Sequence, residues 1–241
     1  LAASKSALEP QMGVRLAALL DLVEVCVISG GQFEQFRTQV VDQLPPLDEA
    51  RTARLHLMPT CGTQYWRGGP HGWAPVYAEN LTDDEKRRAS SALESQARAL
   101  GLWEDQTWGP VVEDRGSQVT FSALGQAAPV AAKSAWDPTG ERKSALRAAV
   151  AALVPDLEVR SGGSTSVDIT RKGIDKAYGM RKLAKVTGIA LADMLFVGDR
   201  LDPDGNDYPV KALGVPTHAV AGWHETVDYL DTLIAGLRSQ R

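Results

Sequence analysis

The chain has 241 residues, 26 of them Lys or Arg and 30 Asp or Glu, for a formal net charge of −4. That balance argues against a broad basic face for nucleic acid. At about 100–200 residues per domain the length fits one large domain or two small ones, and such a chain needs no disulfide or metal to close its core. Two cysteines, Cys26 and Cys61, exclude a disulfide framework or a zinc ribbon. No apolar run approaches the ~20 residues of a membrane span and no secretory signal is visible, so the cytoplasm is the expected location.

The apolar spacing of residues 11–20 predicts a helix. Residues 22–28 are β-branched and nearly continuous, the pattern of a buried parallel strand. Ser29-Gly30-Gly31 breaks it, and 32–44 returns to helical spacing. A second short strand is expected over 54–58. From there to about residue 80 the chain is rich in Gly, Pro and Trp, which reads as loop, hairpin or linker. Thr82 with Glu85 is a capping box that opens a charged helix to about Leu100, ended by Gly101. Segments 108–114 and 117–124 alternate around Arg115-Gly116 as a hairpin. Asp137-Pro138 is expected to start a helix reaching Leu153, and 157–160 with 164–170 form a second hairpin around Gly162-Gly163.

After Gly173 the pattern changes. A helix over 175–187 is followed by a buried strand at 194–197 that ends in Gly198-Asp199. An acid-rich loop, a helix near 207–213 and a strand at 216–220 complete the order. Strand–helix alternation at both ends, around an α+β block, predicts an α/β fold. Its Rossmann-like parallel-sheet core takes residues 1–78 and 172–241, and an inserted α+β cap takes 79–171.

Open parallel sheets bind ligands beyond the carboxyl ends of their strands, and Asp199 stands at such an end. Asp202, Asp204 and Asp207 follow closely. Carboxylates this crowded repel one another unless a cation or a basic group sits among them. Mg²⁺ suits the loop, because it takes one or two carboxylates and completes its shell with water and phosphate; a solvated Asp-Pro-Asp-Gly turn is the alternative. Lys176 stands in the first turn of its helix, where a cation opposes the helix dipole unless a bound phosphoryl group reverses the sign. A surface pairing with Asp175 or Asp168 would also account for it. Ser29 and Gly30, between a strand and a helix, offer a hydroxyl and backbone N–H groups to a phosphate oxygen, although Ser-Gly turns are common. His56, His71, His218 and His224 share no metal-ligand spacing, and Trp66, Trp73 and Trp103 read as packing.

Taken in order, a strand ending in Ser29, Lys176 at a helix start, and a strand ending in Asp199 with Gly205-Asn206-Asp207 downstream resemble the haloacid dehalogenase superfamily of aspartate-nucleophile phosphotransferases. The middle block is similar to the cap of that superfamily's phosphomannomutase branch, through Glu113-Asp-Arg115, Leu124-Gly125-Gln126 and Gly162-Gly163-Ser-Thr-Ser166-Val-Asp168. The resemblance implies Mg²⁺-dependent phosphoryl transfer or hydrolysis on a sugar phosphate through an aspartyl-phosphate. Lys176 and Ser29 would bind the phosphoryl group; Asp199 would bind the metal, with Asp207 as a second ligand or behind it. Arg115 and Lys133 would hold the distal phosphate, and Ser166 and Asp168 the sugar hydroxyls, under a cap that closes by a hinge at its two crossings.

The residues themselves leave Arg115 open to pairing with Glu113 or Asp114, and Ser166 and Asp168 open to being one polar face of a strand. Gln126 and Lys133 stand where the family has arginines, which weakens bidentate phosphate grip and keeps phosphatase and mutase both in play. The superfamily's first motif, Asp-x-Asp-Gly-Thr, is absent, and Leu1–Ser6 resembles the residues just after it. The resemblance thus implies a first strand ahead of Leu1, between the strands that end at Ser29 and Asp199; without it they would stand about 10 Å apart and unbonded. On that reading this chain alone holds the charge-stabilising half of a site and is inactive. The expected partner is a phosphorylated sugar, with no nucleic acid and no membrane, and a homodimer as the one protein contact considered. A non-catalytic scaffold for phospho-ligands or proteins is the alternative.

Overall fold

The computed structural model describes residues 1–2 and 6–240. In chain order its elements are α1 (Pro10–Leu20), β1 (Val25–Ile28), α2 (Phe33–Gln39), α3 (Glu49–Ala53), β2 (Leu55–Met58), β3 (Gln64–Gly69), β4 (Gly72–Ala78), α4 (Asp83–Ala99), β5 (Val112–Asp114), β6 (Val119–Ser122), α5 (Val130–Trp136), α6 (Glu141–Leu153), β7 (Leu157–Ser161), β8 (Ser166–Arg171), α7 (Lys176–Thr187), β9 (Phe196–Gly198), α8 (Tyr208–Ala212), β10 (Thr217–Ala219) and α9 (Trp223–Ser239). They fall into two units, residues 1–77 with 175–241, and residues 78–174.

In the first unit, β1 and β2 are parallel, with Val25 opposite Leu55 and Ile28 opposite Met58. The sheet runs β1-β2-β3-β4, and β2 pairs antiparallel with β3. Successive strand side chains point to opposite faces. Val27, Leu55 and Leu57 pack with Met12, Leu16 and Leu20 of α1 and with Val227, Leu230 and Ile234 of α9. Cys26, Ile28 and Met58 pack on the other face with Leu183 of α7. Each fully buried Leu or Met here contributes about 1.5–3 kcal/mol. Burial pushes the Cys26 thiol up to about 12, so it packs as a small apolar group. Helices on both faces of a sheet that contains a parallel pair give the α/β layering expected.

The hydrogen-bonded sheet comes in two pieces. β9 and β10 form a separate parallel pair, with Phe196 opposite Thr217. Among the described residues β1 and β9 do not pair, but they share a core in which Phe196 packs with Met180 of α7, Val210 of α8 and Ile28 of β1.

The second unit is a four-stranded antiparallel sheet, β5-β6-β8-β7. Val119, Phe121, Val167 and Ile169 alternate onto one face, where Ala89 and Leu93 of α4 and Leu146 and Val150 of α6 cover them. Thr120, Ser122, Ser166 and Asp168 alternate onto the other. The Thr82–Glu85 capping box forms in both directions.

Two local expectations are corrected. The helix expected from Asp137 begins at Glu141; Gly140 turns the chain with φ 78°, and the Asp137 carboxylate accepts the N–H groups of Arg142 and Lys143 from outside the helix. Of the loop, hairpin or linker expected for the Gly- and Trp-rich stretch, the structure has the hairpin, β3 and β4, anchored by Trp66 stacked on Phe33 at 3.7 Å. Helices α5 and α9 were not expected. No helix among the described residues is long and apolar enough to cross a membrane.

Candidate functional site

Two turns lock together where the parallel strands end. After β1 the Ser29 carbonyl accepts the Cys61 N–H at 2.9 Å, and the Gly31 carbonyl accepts the Thr60 N–H at 2.9 Å. Ser29 Oγ accepts the Gly31 N–H at 3.3 Å. The second turn is strained: Thr60 and Cys61 hold φ of 48° and 56°, a region that a β-branched residue rarely enters. The first turn of α7 rests directly on it. A Cβ on Gly62 would stand 2.5 Å from the Gly179 Cα, so only glycines allow the contact. Asp175 caps α7 by accepting the Tyr178 N–H at 2.8 Å. Ser29, Gly30 and the start of α7 are thereby held side by side.

Lys176, the first residue of α7, reaches across to the loop after β9. Its ammonium meets Asp207 Oδ1 at 2.5 Å, with side chains only 13% and 2% exposed. Asp207 Oδ2 accepts the Arg200 N–H at 3.1 Å, and the Asp207 N–H returns a bond to the Arg200 carbonyl at 3.1 Å. Asp199, at the end of β9, is exposed. Asp199 stands between Gly198 and Arg200, both of which touch the Asp207 carboxylate that holds Lys176, and the Ser29 turn lies beside the helix that carries Lys176.

A divalent cation fits part of this set. Asp199 is exposed, so it can give one oxygen to Mg²⁺, which asks for one or two carboxylates and fills its remaining positions with water and phosphate. Asp207 already uses both oxygens, one on Lys176 and one on a backbone N–H, so its geometry suits orienting the lysine better than ligating a metal. Among the described residues no three His, Cys, Asp or Glu side chains are grouped to hold a metal ion.

Of the residues assigned to the second unit, Ser166 and Asp168 sit on the polar face of its own sheet. Gln118 Nε2 donates to Thr120 Oγ1 at 2.8 Å, and Thr120 Oγ1 donates to Asp168 Oδ1 at 2.8 Å. Ser166 precedes Asp168 by one outward position. Arg115, in the β5–β6 turn, donates through Nε and Nη2 to Glu113 Oε2, at 3.1 and 2.9 Å, and both side chains are nearly buried. The pairing with Glu113 that the sequence left open is thus present. Lys133, on α5, is 5% exposed and donates to the Gln126 carbonyl at 2.7 Å; burial pulls its pKa down. Among the described residues, Ser122 Oγ, Thr165 Oγ1 and Trp136 Nε1 are buried without a hydrogen-bond partner. The sequence reading missed Thr120, Gln118 and Ser122, although their alternation with Val119 and Phe121 was the available signal. It also missed Arg200 as the base that the crowded acids required.

The model for haloacid dehalogenase-like hydrolases matches residues 129–209 of this sequence, a span that holds Lys176, Asp199 and Asp207. No curated protein matches. Among solved structures the chain is similar to an N-terminally truncated Plasmodium falciparum IMP-nucleotidase, at 12% identity and a TM-score of 0.70, with 95% of this chain and 66% of that chain covered. It is similar to a haloacid dehalogenase-like hydrolase from Bacteroides thetaiotaomicron, at 12% identity and a TM-score of 0.60, with 97% and 95% covered. A trehalose-6-phosphate phosphatase related protein gives 13% identity and a TM-score of 0.56, with 98% and 91% covered. The chain thus spans about two thirds or less of the nucleotidases' own length: 66%, 63% and 58% of the first three.

Proposed function

We propose, for a chain that has the fold of the haloacid dehalogenase-like hydrolases and matches that family's sequence over residues 129–209, that it handles the phosphoryl group of a phosphorylated sugar. The observation that carries this reading is the Lys176–Asp207 pair at the start of α7, beside Asp199 at the tip of β9. A lysine buried at a helix start and tied to one carboxylate is poised to trade part of that bond for a phosphoryl oxygen, which the helix N-terminus also favours. Ser29 Oγ and the backbone N–H groups of the same turn would take a second oxygen. Mg²⁺, when bound through Asp199, would supply charge neutralisation of the phosphoryl oxygens. In the second unit, Ser166 and Asp168 would take sugar hydroxyls, and Arg115 and Lys133 the distal phosphate.

The residues present stabilise charge, and they do so most when negative charge grows on the transferring group. The nucleophile and general acid/base of an aspartyl-phosphate route have no counterpart as an Asp-x-Asp-Gly-Thr run in residues 1–241. A second reading is binding of a phospho-ligand without turnover.

Calorimetric titration with orthophosphate in excess Mg²⁺ tests the site. Lys176→Ala is expected to weaken binding about 10- to 100-fold, the worth of a charge-assisted bond. Unchanged affinity would sink the reading. Phosphate release from mannose 1-phosphate, or its conversion to the 6-phosphate, decides between binding alone, phosphatase and mutase.

A further inference from the structure

The loop after β9 carries four acids, Asp199, Asp202, Asp204 and Asp207, against two cations, Lys176 and Arg200. Lys176 is committed to Asp207 and nearly enclosed. Arg200 differs from it in every respect that matters for an incoming anion. Its backbone is fixed on the inside of the loop, donating to and accepting from Asp207. A Cβ on Gly205 would collide with the Arg200 carbonyl, so the loop can close this tightly only on a glycine. Its guanidinium lies outside, 55% exposed, with Nε donating to Asp202 Oδ2 at 3.0 Å and Nη2 to the Asp204 carbonyl at 3.4 Å. Among the described residues Nη1 donates to nothing. Arg200 follows Asp199 directly, and its N–H bonds the Asp207 carboxylate that holds Lys176, so the residue belongs to the loop that carries the proposed phosphoryl site.

We propose that Arg200 is the second cation of that site. Its free Nη1 edge binds an anionic oxygen of the phosphate ester, while Asp202 and the Asp204 carbonyl hold the opposite edge in place. Asp202 is then a positioning residue. The inference rests on the phosphate-site reading above. Its physical basis is the fork geometry of guanidinium: one edge can be anchored while another stays available, which an ammonium cannot do. In the absence of a ligand Arg200 offsets part of the repulsion among the four acids, and so it also lowers their attraction for a divalent cation. Removing it must act with opposite sign on the two ligands.

The test is calorimetry of the 241-residue chain at low ionic strength, with orthophosphate in excess Mg²⁺ and, separately, with Mg²⁺ alone. Arg200→Gln keeps an amide donor for Asp202, and Arg200→Ala removes it. Both are expected to weaken orthophosphate about 5- to 30-fold, a charge-assisted bond discounted for exposure. Both should tighten Mg²⁺ about 2- to 5-fold, because a positive charge beside Asp199 is gone. Asp202→Asn should weaken orthophosphate about 2- to 5-fold with Arg200 present and leave it unchanged in the Arg200→Ala background. Orthophosphate affinity within about twofold of the parent in both Arg200 variants overturns the proposal, as does a parallel loss of Mg²⁺. Lys176→Ala separates the two levels: if it weakens orthophosphate while the Arg200 variants do not, only this inference fails.

Discussion

At the strand tips of the first unit, polar groups are fixed by backbone. The turns after β1 and β2 bond to each other, α7 sits glycine against glycine on Gly62, and the loop after β9 closes around Asp207 with N–H groups. On the sheet face of the second unit, polar groups are fixed by other side chains: Gln118 to Thr120, Thr120 to Asp168, Arg115 to Glu113. Backbone cannot turn away when a partner is removed, but a side chain can rotate. Charge placed on the first kind of support is therefore pre-oriented, while the second kind can rearrange its bonds. The contrast predicts that equal chemical changes cost more in the first unit than in the second.

The largest effect is expected at Lys176. Lys176→Ala leaves the Asp207 carboxylate, 2% exposed, without its cation. Removing one partner of a buried pair costs about 3–5 kcal/mol. Adding Asp207→Asn should recover part of that loss, since no charge then remains to be buried. Urea unfolding of the single and double variants measures both. If Lys176→Ala costs no more than an exposed pair, under about 1 kcal/mol, the loop is not rigid and the contrast between the units fails.

A smaller effect is expected on the sheet face. Thr120→Val removes the donor to Asp168 and the acceptor for Gln118, and should cost about 1–2 kcal/mol. Ser122→Ala deletes a buried hydroxyl that has no partner among the described residues, and should be neutral or stabilising by up to about 1 kcal/mol. Unfolding curves that rank Ser122→Ala as the more harmful of the two would show that the strip is organised around Ser122 instead.

What the sequence disclosed follows from how far apart the interacting residues lie. The Thr82–Glu85 box is a contact three residues long, and it was legible at once. The strands before Ser29 and Asp199 announced themselves as short apolar runs, and with them came the α/β class. The acids after Asp199 implied a neutralising group, but choosing Arg200 required knowing that its backbone is pinned by Asp207 and its side chain turned outward. The Gly62–Gly179 contact joins positions with no local pattern in common, so nothing in either neighbourhood signals it. Helix α9 is another matter. Val227, Leu230 and Ile234 carry the apolar period that buries it, and the signal was present but unused. Helix α5 has no side-chain cap and is seven residues long, too short for a period to stand out.

The smallest predicted effect lies at the start of α4, where the second unit comes nearest to the first in the way it fixes a charge. Glu85 accepts the Thr82 N–H at 2.7 Å and two bonds from Arg171, at 3.1 and 2.8 Å, and its side chain is 18% exposed. The Arg171 guanidinium first, and the Thr82 N–H second, hold its pKa down to about 2. An unfolded glutamate titrates near about 4.3. The folded value is the lower one, so the stabilisation is fully present above about pH 4 and is lost as pH falls toward 2. Solvent screening limits it to about 1 kcal/mol. Glu85→Gln should therefore cost about that much at pH 7 and almost nothing near pH 2, as read from urea midpoints at the two pH values. A cost that stays the same at both would mean that the carboxylate's charge plays no part in the cap, and that shape alone holds α4 at its first turn.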